Sequence, residues 1–301
     1  MSERIDRRRF LESAAMLLAA SRQSAAANEL ACDVAVIGGG TGGVAAALAA
    51  LRNGMRVVLT EETGWLGGQL TAQAVPPDEH PWIEEFGCTA GYRAYRNAVR
   101  AYYREHYPLT SEARRRVNLN PGNGSVSRLT HEFKVSVAVL EAMLLPYSGS
   151  GLLTVLREHV PVSATTSGDR IASVTVRDTR SGVERVVTAR YFLDATELGD
   201  VLPMAGVEHV TGAESQKQTG EMHAAAQAQP AGSQSFTFCF AMDYVPGEDH
   251  TIERPADYGQ WREYVPRLTP PWTGRLFSWT ACDPKTLSPR DAYFDPQPEQ
   301  L

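Results

Sequence analysis

Residues 33–71 read DVAVIGGGTGGVAAALAALRNGMRVVLTEETGWLGGQLT, and this stretch decides the fold. An apolar run of strand length leads into glycines at Gly38, Gly40 and Gly43, which match the spacing G-x-G-x-x-G. A segment rich in alanine and leucine follows as a predicted helix, and a second apolar strand then ends at Glu61. Strand, glycine turn, helix, strand and acid, in this order, predict a dinucleotide-binding α/β unit.

Each part of this motif has a physical role in holding a dinucleotide. Gly38 permits the tight turn, Gly40 lets a pyrophosphate approach the backbone, and Gly43 lets the helix pack closely on the strand. The unpaired N–H groups at the start of the helix then bind the phosphates. Glu61 is placed to accept hydrogen bonds from an adenosine ribose, and an acid there disfavours a 2′-phosphate. The alternative is a glycine-rich turn in an ordinary α/β protein.

A second glycine loop follows the acid and contains Gly67, Gly68 and Gln69. Its position resembles that of the flavoproteins with two dinucleotide-binding domains, in which such a loop wraps the flavin side of the pyrophosphate. A nicotinamide-dependent dehydrogenase does not usually need this loop, so the loop favours a flavin over NAD. An NAD-dependent enzyme and an ordinary surface turn are the alternatives.

Composition limits the other functions that the chain could have. The 301 residues carry a net charge of −6, which argues against nucleic acid as a partner. The four cysteines form no closely spaced pair, so there is neither a C-x-x-C redox motif nor a zinc pattern, and buried thiols are expected. His80, His131 and His223 are expected at the surface or as capping residues. The sequence therefore predicts no metal site and leaves the catalytic residue unknown.

The first residues are interpreted as a signal peptide. The run RRRFL at 7–11 matches the twin-arginine export pattern, and a short apolar stretch precedes an A-x-A cleavage site that ends at residue 27. The apolar stretch is too short for a stable membrane anchor. The pattern predicts a periplasmic or secreted protein, and a disordered basic tail is the alternative.

The rest of the chain alternates helical and strand signals. An irregular connection is expected over 72–87, followed by helices over 89–107 and 131–145, all within an insertion at about 72–150. In the first of these helices the tyrosines are expected to form a core face and the arginines a solvated face. Strands are predicted over 152–156, 160–165, 171–176, 183–193 and 236–242, with a loop over 214–235.

Three motifs in order resemble the bacterial FAD-dependent oxidoreductase family, a branch of the glutathione-reductase-like flavoproteins. They lie at 33–43, 67–71 and 194–200, and the segments 121–129 and 234–238 resemble the same family. The resemblance implies FAD as the cofactor and a small-molecule substrate. It also implies a Rossmann-like FAD/NAD(P)-binding domain with a parallel sheet, joined to a partial α+β substrate domain with antiparallel strands.

By matching position, the resemblance implies which residues contact the cofactor. The residues at the pyrophosphate are Gly38, Gly39, Gly40, Thr41, Gly42 and Gly43, and those at the adenosine ribose are Glu61 with Glu62 beside it. Gly67, Gly68 and Gln69 lie along the flavin half, and the backbone of Val160 contacts the adenine. Asp194, Ala195 and Thr196 form a turn beside FAD. Glu197 stands where relatives carry a glycine, which puts the closeness of this turn to FAD in question.

The predicted domains are a signal peptide at 1–27, an FAD-binding domain at 28–213 and a partial substrate domain at 214–301. Relatives are longer, and their late segment covers the flavin, so the chain is expected to be C-terminally truncated, with a partner polypeptide supplying the missing segment. The expected function is that of an FAD-dependent oxidoreductase acting on an unidentified small substrate. An inactive or incomplete flavoprotein that serves as a binding or structural protein is the alternative.

Overall fold

The chain forms two compact units, one that ends at residue 240 and one that begins at residue 241. The first unit contains the glycine motif and a six-stranded sheet. The structure is a computed structural model, and it describes residues 28–124, 126–234, 239, 245–268, 274–278, 280–283, 286 and 288–291.

A mixed sheet organises the first unit. Its strands are β1 (Glu29–Ile37), β2 (Val57–Glu61), β3 (Leu153–Arg157), β4 (His159–Ser167), β5 (Arg170–Asp178) and β6 (Glu184–Asp194). The order across the sheet is β3-β2-β1-β6-β5-β4. Strands β3, β2, β1 and β6 run parallel, whereas β5 is antiparallel to both β6 and β4. The α/β fold with a mostly parallel sheet is confirmed, and so are the strands predicted between residues 152 and 193.

Helices connect β1 to β2 and β2 to β3, as parallel pairing requires, and two short helices follow β6. They are α1 (Thr41–Arg52), α2 (Ala90–His106), α3 (Ser111–Arg115), α4 (Phe133–Gly149), α5 (Val201–Met204) and α6 (Gln216–Thr219). Helices α2 to α4 form the insertion between β2 and β3, and the two long predicted helices correspond to α2 and α4. Helix α2 begins where Thr89 accepts a hydrogen bond from the backbone N–H of Tyr92. The short helix α6 lies in the segment predicted as a loop.

Successive residues of β1 face two separate cores. Val34 and Val36 pack in a core with α1, α2 and α4, whereas Ala35 and Ile37 pack in a second core with β4, β5 and β6. Side chains alternate between the two faces of a strand, so a strand that is covered on both faces is apolar throughout. This double burial explains why the first strand of the motif shows no polar alternation.

The arginines of α2 are not all solvated. Arg96 and Arg100 are buried, and their guanidinium groups pair with acids of the preceding connection. Arg96 pairs with Glu79 and Glu84, and Arg100 pairs with Glu84 as well. The expectation of a solvated arginine face is wrong at these two positions, because the irregular connection covers them with carboxylates.

Burial also corrects the expectations for His131 and for the cysteines. The Nδ1 atom of His131 lies 2.6 Å from the carbonyl oxygen of Leu129, so this nitrogen carries a proton, and Nε2 lies 2.5 Å from the hydroxyl of Ser136. Burial lowers the pKa of His131, so the ring is a neutral part of the interior and not a surface or capping residue. Three free cysteines are partly exposed and not buried: Cys32, Cys88 and Cys239.

The described part of the second unit contains one helix and one antiparallel strand pair. These are α7 (Tyr258–Glu263), β7 (Thr280–Cys282) and β8 (Pro289–Asp291). The strand predicted over 236–242 falls outside the described residues except at Cys239, and the signal peptide at 1–27 falls wholly outside them. The domain boundary after residue 213 stays a prediction. Within the described ranges, no helix combines the length and the hydrophobicity needed to cross a bilayer.

Candidate functional site

The four parallel strands end at one edge of the sheet, and residues at these ends line a cleft of about 310 Å³. Gly38 follows β1, Glu62 follows β2, His159 lies just beyond β3, and Ala195 follows β6. From β1 the chain continues to β2 and β3 on one side of β1, and it later returns as β6, which pairs with the other side of β1. Ligands of open α/β sheets bind at such a switch point, outside the carboxyl ends of the strands.

The turn between β1 and α1 requires glycine at two positions. Gly38 has a φ of +107°, and a Cβ atom there would lie 2.1 Å from the carbonyl oxygen of Ala195. A Cβ atom at Gly43 would lie 1.9 Å from the carbonyl oxygen of Gly38. Gly38 therefore permits the tight turn and Gly43 the close approach of α1, as the motif predicts.

A glycine-walled space opens at the start of α1. Gly40 precedes this helix, and Gly68 of the second glycine loop faces it, since a Cβ atom at Gly68 would lie 3.0 Å from the Cα atom of Gly40. The N–H of Gly67 donates to the carbonyl of Gly39, and the hydroxyl of Thr41 donates to the carbonyl of Gly67, both at 2.8 Å. These bonds join the two glycine loops. The space between Gly40 and Gly68 is called the cradle below.

Glu61 is a buried acid at the end of β2, and it lines the cleft. Its Oε1 atom accepts hydrogen bonds of 2.8 Å from both the backbone N–H and the hydroxyl of Thr63. Burial raises the pKa of Glu61, and the two hydrogen bonds from Thr63 oppose this shift. Thr63 thus fixes the carboxylate at the cleft, where it can accept hydrogen bonds from ribose hydroxyls.

The turn between β3 and β4 forms another part of the wall. Glu158 has a φ of +59°, which is uncommon for a residue other than glycine, and its N–H donates to the carbonyl of Thr63. The next residue, His159, is buried, and its Nδ1 atom lies 2.7 Å from the carbonyl oxygen of Arg157, so Nδ1 carries a proton. In the neutral ring Nε2 is then an acceptor, and it is buried without a hydrogen-bond partner among the described residues.

The turn after β6 is organised by Asp194, which does not itself line the cleft. Its carboxylate accepts hydrogen bonds from the hydroxyl of Thr196 at 2.7 Å and from the backbone N–H of Val201 at 2.9 Å. Thr196 lines the cleft, and so does Glu197. The turn therefore lies at the site, although Glu197 stands where the family resemblance leads one to expect a glycine.

The structure brings most of the predicted cofactor residues to the cleft. Those that line it are Gly38, Gly39, Gly40, Glu61, Glu62, Gly68, Val160, Ala195 and Thr196. Those that do not are Thr41, Gly42, Gly43, Gly67, Gln69 and Asp194. Lining residues that the sequence reasoning did not assign are Thr60, Thr63, Ala72, Gln73, His159, Pro161, Glu197, Asp200 and Met204. Several of these residues are sequence neighbours of a predicted site residue, and that position is the signal by which the sequence could identify them. No three His, Cys, Asp or Glu side chains in the described part of the chain come together as a metal site would require.

Comparison with known protein families shows to which family the chain belongs. The family model described as FAD dependent oxidoreductase matches residues 33–297, a range that includes every residue lining the cleft. The chain belongs to this family. FAD is accordingly the cofactor of this family member, as the sequence predicts.

Several solved structures are similar to this chain over part of its length. THI4 of Thermovibrio ammonificans is 18% identical, with a TM-score of 0.37 over 77% of this chain and 90% of that chain. The myxobacterial FAD-dependent halogenase CndH is 19% identical, with a TM-score of 0.34 over 55% of this chain and 37% of that chain. Glycerol-3-phosphate dehydrogenase of Bacillus halodurans, solved with FAD, is 14% identical, with a TM-score of 0.36 over 56% and 35% of the two chains.

The chain thus spans little more than a third of the halogenase and of the dehydrogenase, at 37% and 35% of their lengths. No curated protein matches the sequence.

The residues of the cleft fit FAD. The cradle is space that a Cβ atom at Gly40 would fill, and it lies at the positive end of α1, which favours a diphosphate. Glu61 is an acceptor suited to the ribose hydroxyls. His159 and Val160 form the part of the wall where the family resemblance places the adenine, and the unpaired Nε2 of His159 suits a donor such as an amino group.

Replacing Glu61 tests the ribose assignment. We expect Glu61→Ala to weaken FAD binding by about tenfold or more, because hydrogen bonds to a charged group contribute about 1.5–3 kcal/mol. Glu61→Gln, which keeps an acceptor, should lose less. Titration of FAD with flavin fluorescence measures both, and Glu208→Ala is the control, since Glu208 is exposed and lies outside the cleft. Wild-type affinity in Glu61→Ala would contradict the assignment.

Proposed function

We propose that this protein is an FAD-dependent oxidoreductase that transfers a hydride or electrons between its flavin and a small organic substrate. The observation that carries the proposal is the glycine-walled cleft at the ends of the parallel strands, which lies entirely within the matched family range. When bound, FAD supplies the redox chemistry, and the protein binds, orients and shields the reactants.

The residues of this chain are suited to hold the adenosine and diphosphate part of the cofactor. The cradle between Gly40 and Gly68 accommodates the diphosphate, and Glu61 accepts hydrogen bonds from the ribose. The second glycine loop is hydrogen-bonded to the first, which supports our proposal that the protein is of the glutathione-reductase-like type.

The absorption spectrum of the purified protein tests the proposed function. We expect a bound flavin that is released as FAD on denaturation and is reduced by the substrate under anaerobic conditions. A panel of small organic reductants, followed by the loss of flavin absorbance, would identify the substrate class. A colourless protein that binds NAD but not FAD in a calorimetric titration would contradict the proposal.

We also propose that the protein is exported by the twin-arginine route, on the basis of the run RRRFL at 7–11. The double variant Arg7→Lys/Arg8→Lys is expected to stay in the cytoplasm with residues 1–27 attached. Cell fractionation and the mass of the intact chain measure this outcome. Arg4→Lys, which lies outside the pattern, is the control and should be exported. A wild-type protein retained in the cytoplasm of its own host with an uncleaved N-terminus would refute export.

A further inference from the structure

The carboxylate of Glu197 lies in the cradle. Its Oε1 atom is 3.1 Å from the position that a Cβ atom would take at Gly40, and 3.2 Å from the corresponding position at Gly68. These two glycines face each other, so the oxygen lies in the space that their missing side chains create. The dinucleotide-binding motif reserves this space for a pyrophosphate.

The surroundings of this carboxylate favour an anion. Helix α1 has 12 residues, and its first N–H groups have no acceptor within the helix, so its start carries a partial positive charge. No cation of the described residues forms an ion pair with Glu197. The carboxylate therefore lies at Gly40, the residue before α1, where the partial positive charge of the helix start attracts it. A diphosphate would be attracted to the same place for the same reason.

The backbone around Glu197 is fixed, whereas its side chain can move. The carboxylate of Asp194 binds the hydroxyl of Thr196, and this hydroxyl accepts a hydrogen bond from the N–H of Asp200 at 2.8 Å. These bonds hold the turn on both sides of Glu197. The residue itself is exposed, so its carboxylate can rotate from the cradle into water.

We propose that Glu197 is an internal anion that competes with the FAD diphosphate for the start of α1 and leaves the cradle when FAD binds. The inference rests on the proposed binding of FAD at this cleft. Like charges in contact repel each other, and the repulsion is stronger beside protein than in water. Glu197 therefore lowers the affinity for FAD, and it makes that affinity depend on ionic strength.

Titration of FAD against flavin-free protein, with flavin fluorescence as the readout, tests the proposal. Glu197→Gln keeps the shape of the side chain and removes its charge, so we expect FAD to bind about tenfold more tightly at low salt. The gain should shrink at about 0.5 M salt, because salt screens exposed charges. Glu197→Ala should also bind more tightly. The control Glu208→Gln removes an exposed charge outside the cleft and should match the wild type.

Unchanged or weaker binding of FAD by Glu197→Gln would overturn the proposal. Tighter binding by Glu197→Ala alone would overturn it as well, because that pattern indicates steric hindrance and not charge. Calorimetric titration with inorganic pyrophosphate separates this inference from the proposed function. Tighter pyrophosphate binding by Glu197→Gln, with no binding of FAD by any variant, would support the competition at the cradle and refute the proposed function.

Discussion

The variant Gly40→Val is expected to lose FAD while keeping its fold. A Cβ atom at Gly40 would meet no atom closer than Oε1 of Glu197, at 3.1 Å, and that exposed side chain can move away. The backbone of Gly40 is extended, with φ −60° and ψ −176°, so valine fits it without strain. The added side chain would fill the cradle, and we expect the affinity for FAD to fall by about a hundredfold, since forcing extra atoms into a filled site costs about 1–3 kcal/mol.

Two other glycine variants separate binding from folding. Gly38→Val should unfold the protein or lower its melting temperature strongly, because the new Cβ atom would lie 2.1 Å from the carbonyl oxygen of Ala195 at a φ of +107°. Gly149→Val, at the end of α4, meets no atom within 4 Å and should keep both the fold and FAD. Flavin content and thermal melting of the three purified variants measure these outcomes. Wild-type flavin content in Gly40→Val would show that the diphosphate lies elsewhere.

The part of the site that sequence reasoning could predict is local in the chain. The apolar run of β1, the composition of α1 and the acid that ends β2 all lie within residues 33–61. Gly43 must be glycine because it lies against the carbonyl of Gly38, and Gly38 must be glycine because it lies against Ala195 at the end of β6. The motif itself requires both close approaches. Local signals of this kind fix the strand, the turn and the helix before any tertiary contact is known.

The part that could not be predicted depends on distant segments. The family resemblance places Glu197 where a glycine is expected, but its carboxylate lies beside the open face of Gly40 because β6 pairs with β1. The suggested role of His159 as a hydrogen-bond acceptor depends on its tautomer, which the carbonyl of Arg157 fixes. A tautomer cannot be predicted from the spacing of residues in a sequence. Arg96 looks solvated because arginine usually is, and its burial depends on how the connection before α2 folds over that helix.

A large loss of stability is expected for Arg96→Met. The side chain of Arg96 is 0% exposed and pairs with Glu79 and Glu84, whose side chains are 3% and 14% exposed. Methionine keeps much of the apolar stem of arginine but leaves the carboxylates without this partner. Breaking a buried pair by removing one partner costs about 3–5 kcal/mol, because an uncompensated charge stays buried. Glu79 carries most of this cost, since Arg100 still pairs with Glu84.

Urea unfolding at neutral pH measures this loss, and Arg177→Met is the control. Arg177 pairs with Glu184, but the two side chains are 49% and 47% exposed, so its replacement should cost less than about 1 kcal/mol. Equal losses in the two variants would contradict the argument from burial.

The pH dependence of unfolding gives a second measurement. Burial raises the pKa of Glu84, but the hydrogen bond and charge of Arg100 and the charge of Arg96 outweigh it and hold the pKa below its usual range. A lowered pKa contributes stability above the pKa of the unfolded chain, about 4.3, and this stability is lost as the pH falls through the folded value. The difference between the wild type and Arg96→Met should therefore shrink in acid.

A double variant decides whether charge or packing causes the loss. If the buried charge of Glu79 is the cause, Glu79→Gln/Arg96→Met should be more stable than Arg96→Met by about 1–2 kcal/mol, because the second change removes the unpaired charge. If lost packing around the arginine stem is the cause, the second change cannot restore it, and the double variant should be no more stable than the single one. Equal free energies of unfolding for the double variant and Arg96→Met would show that packing, and not the charge pair, causes the loss of stability.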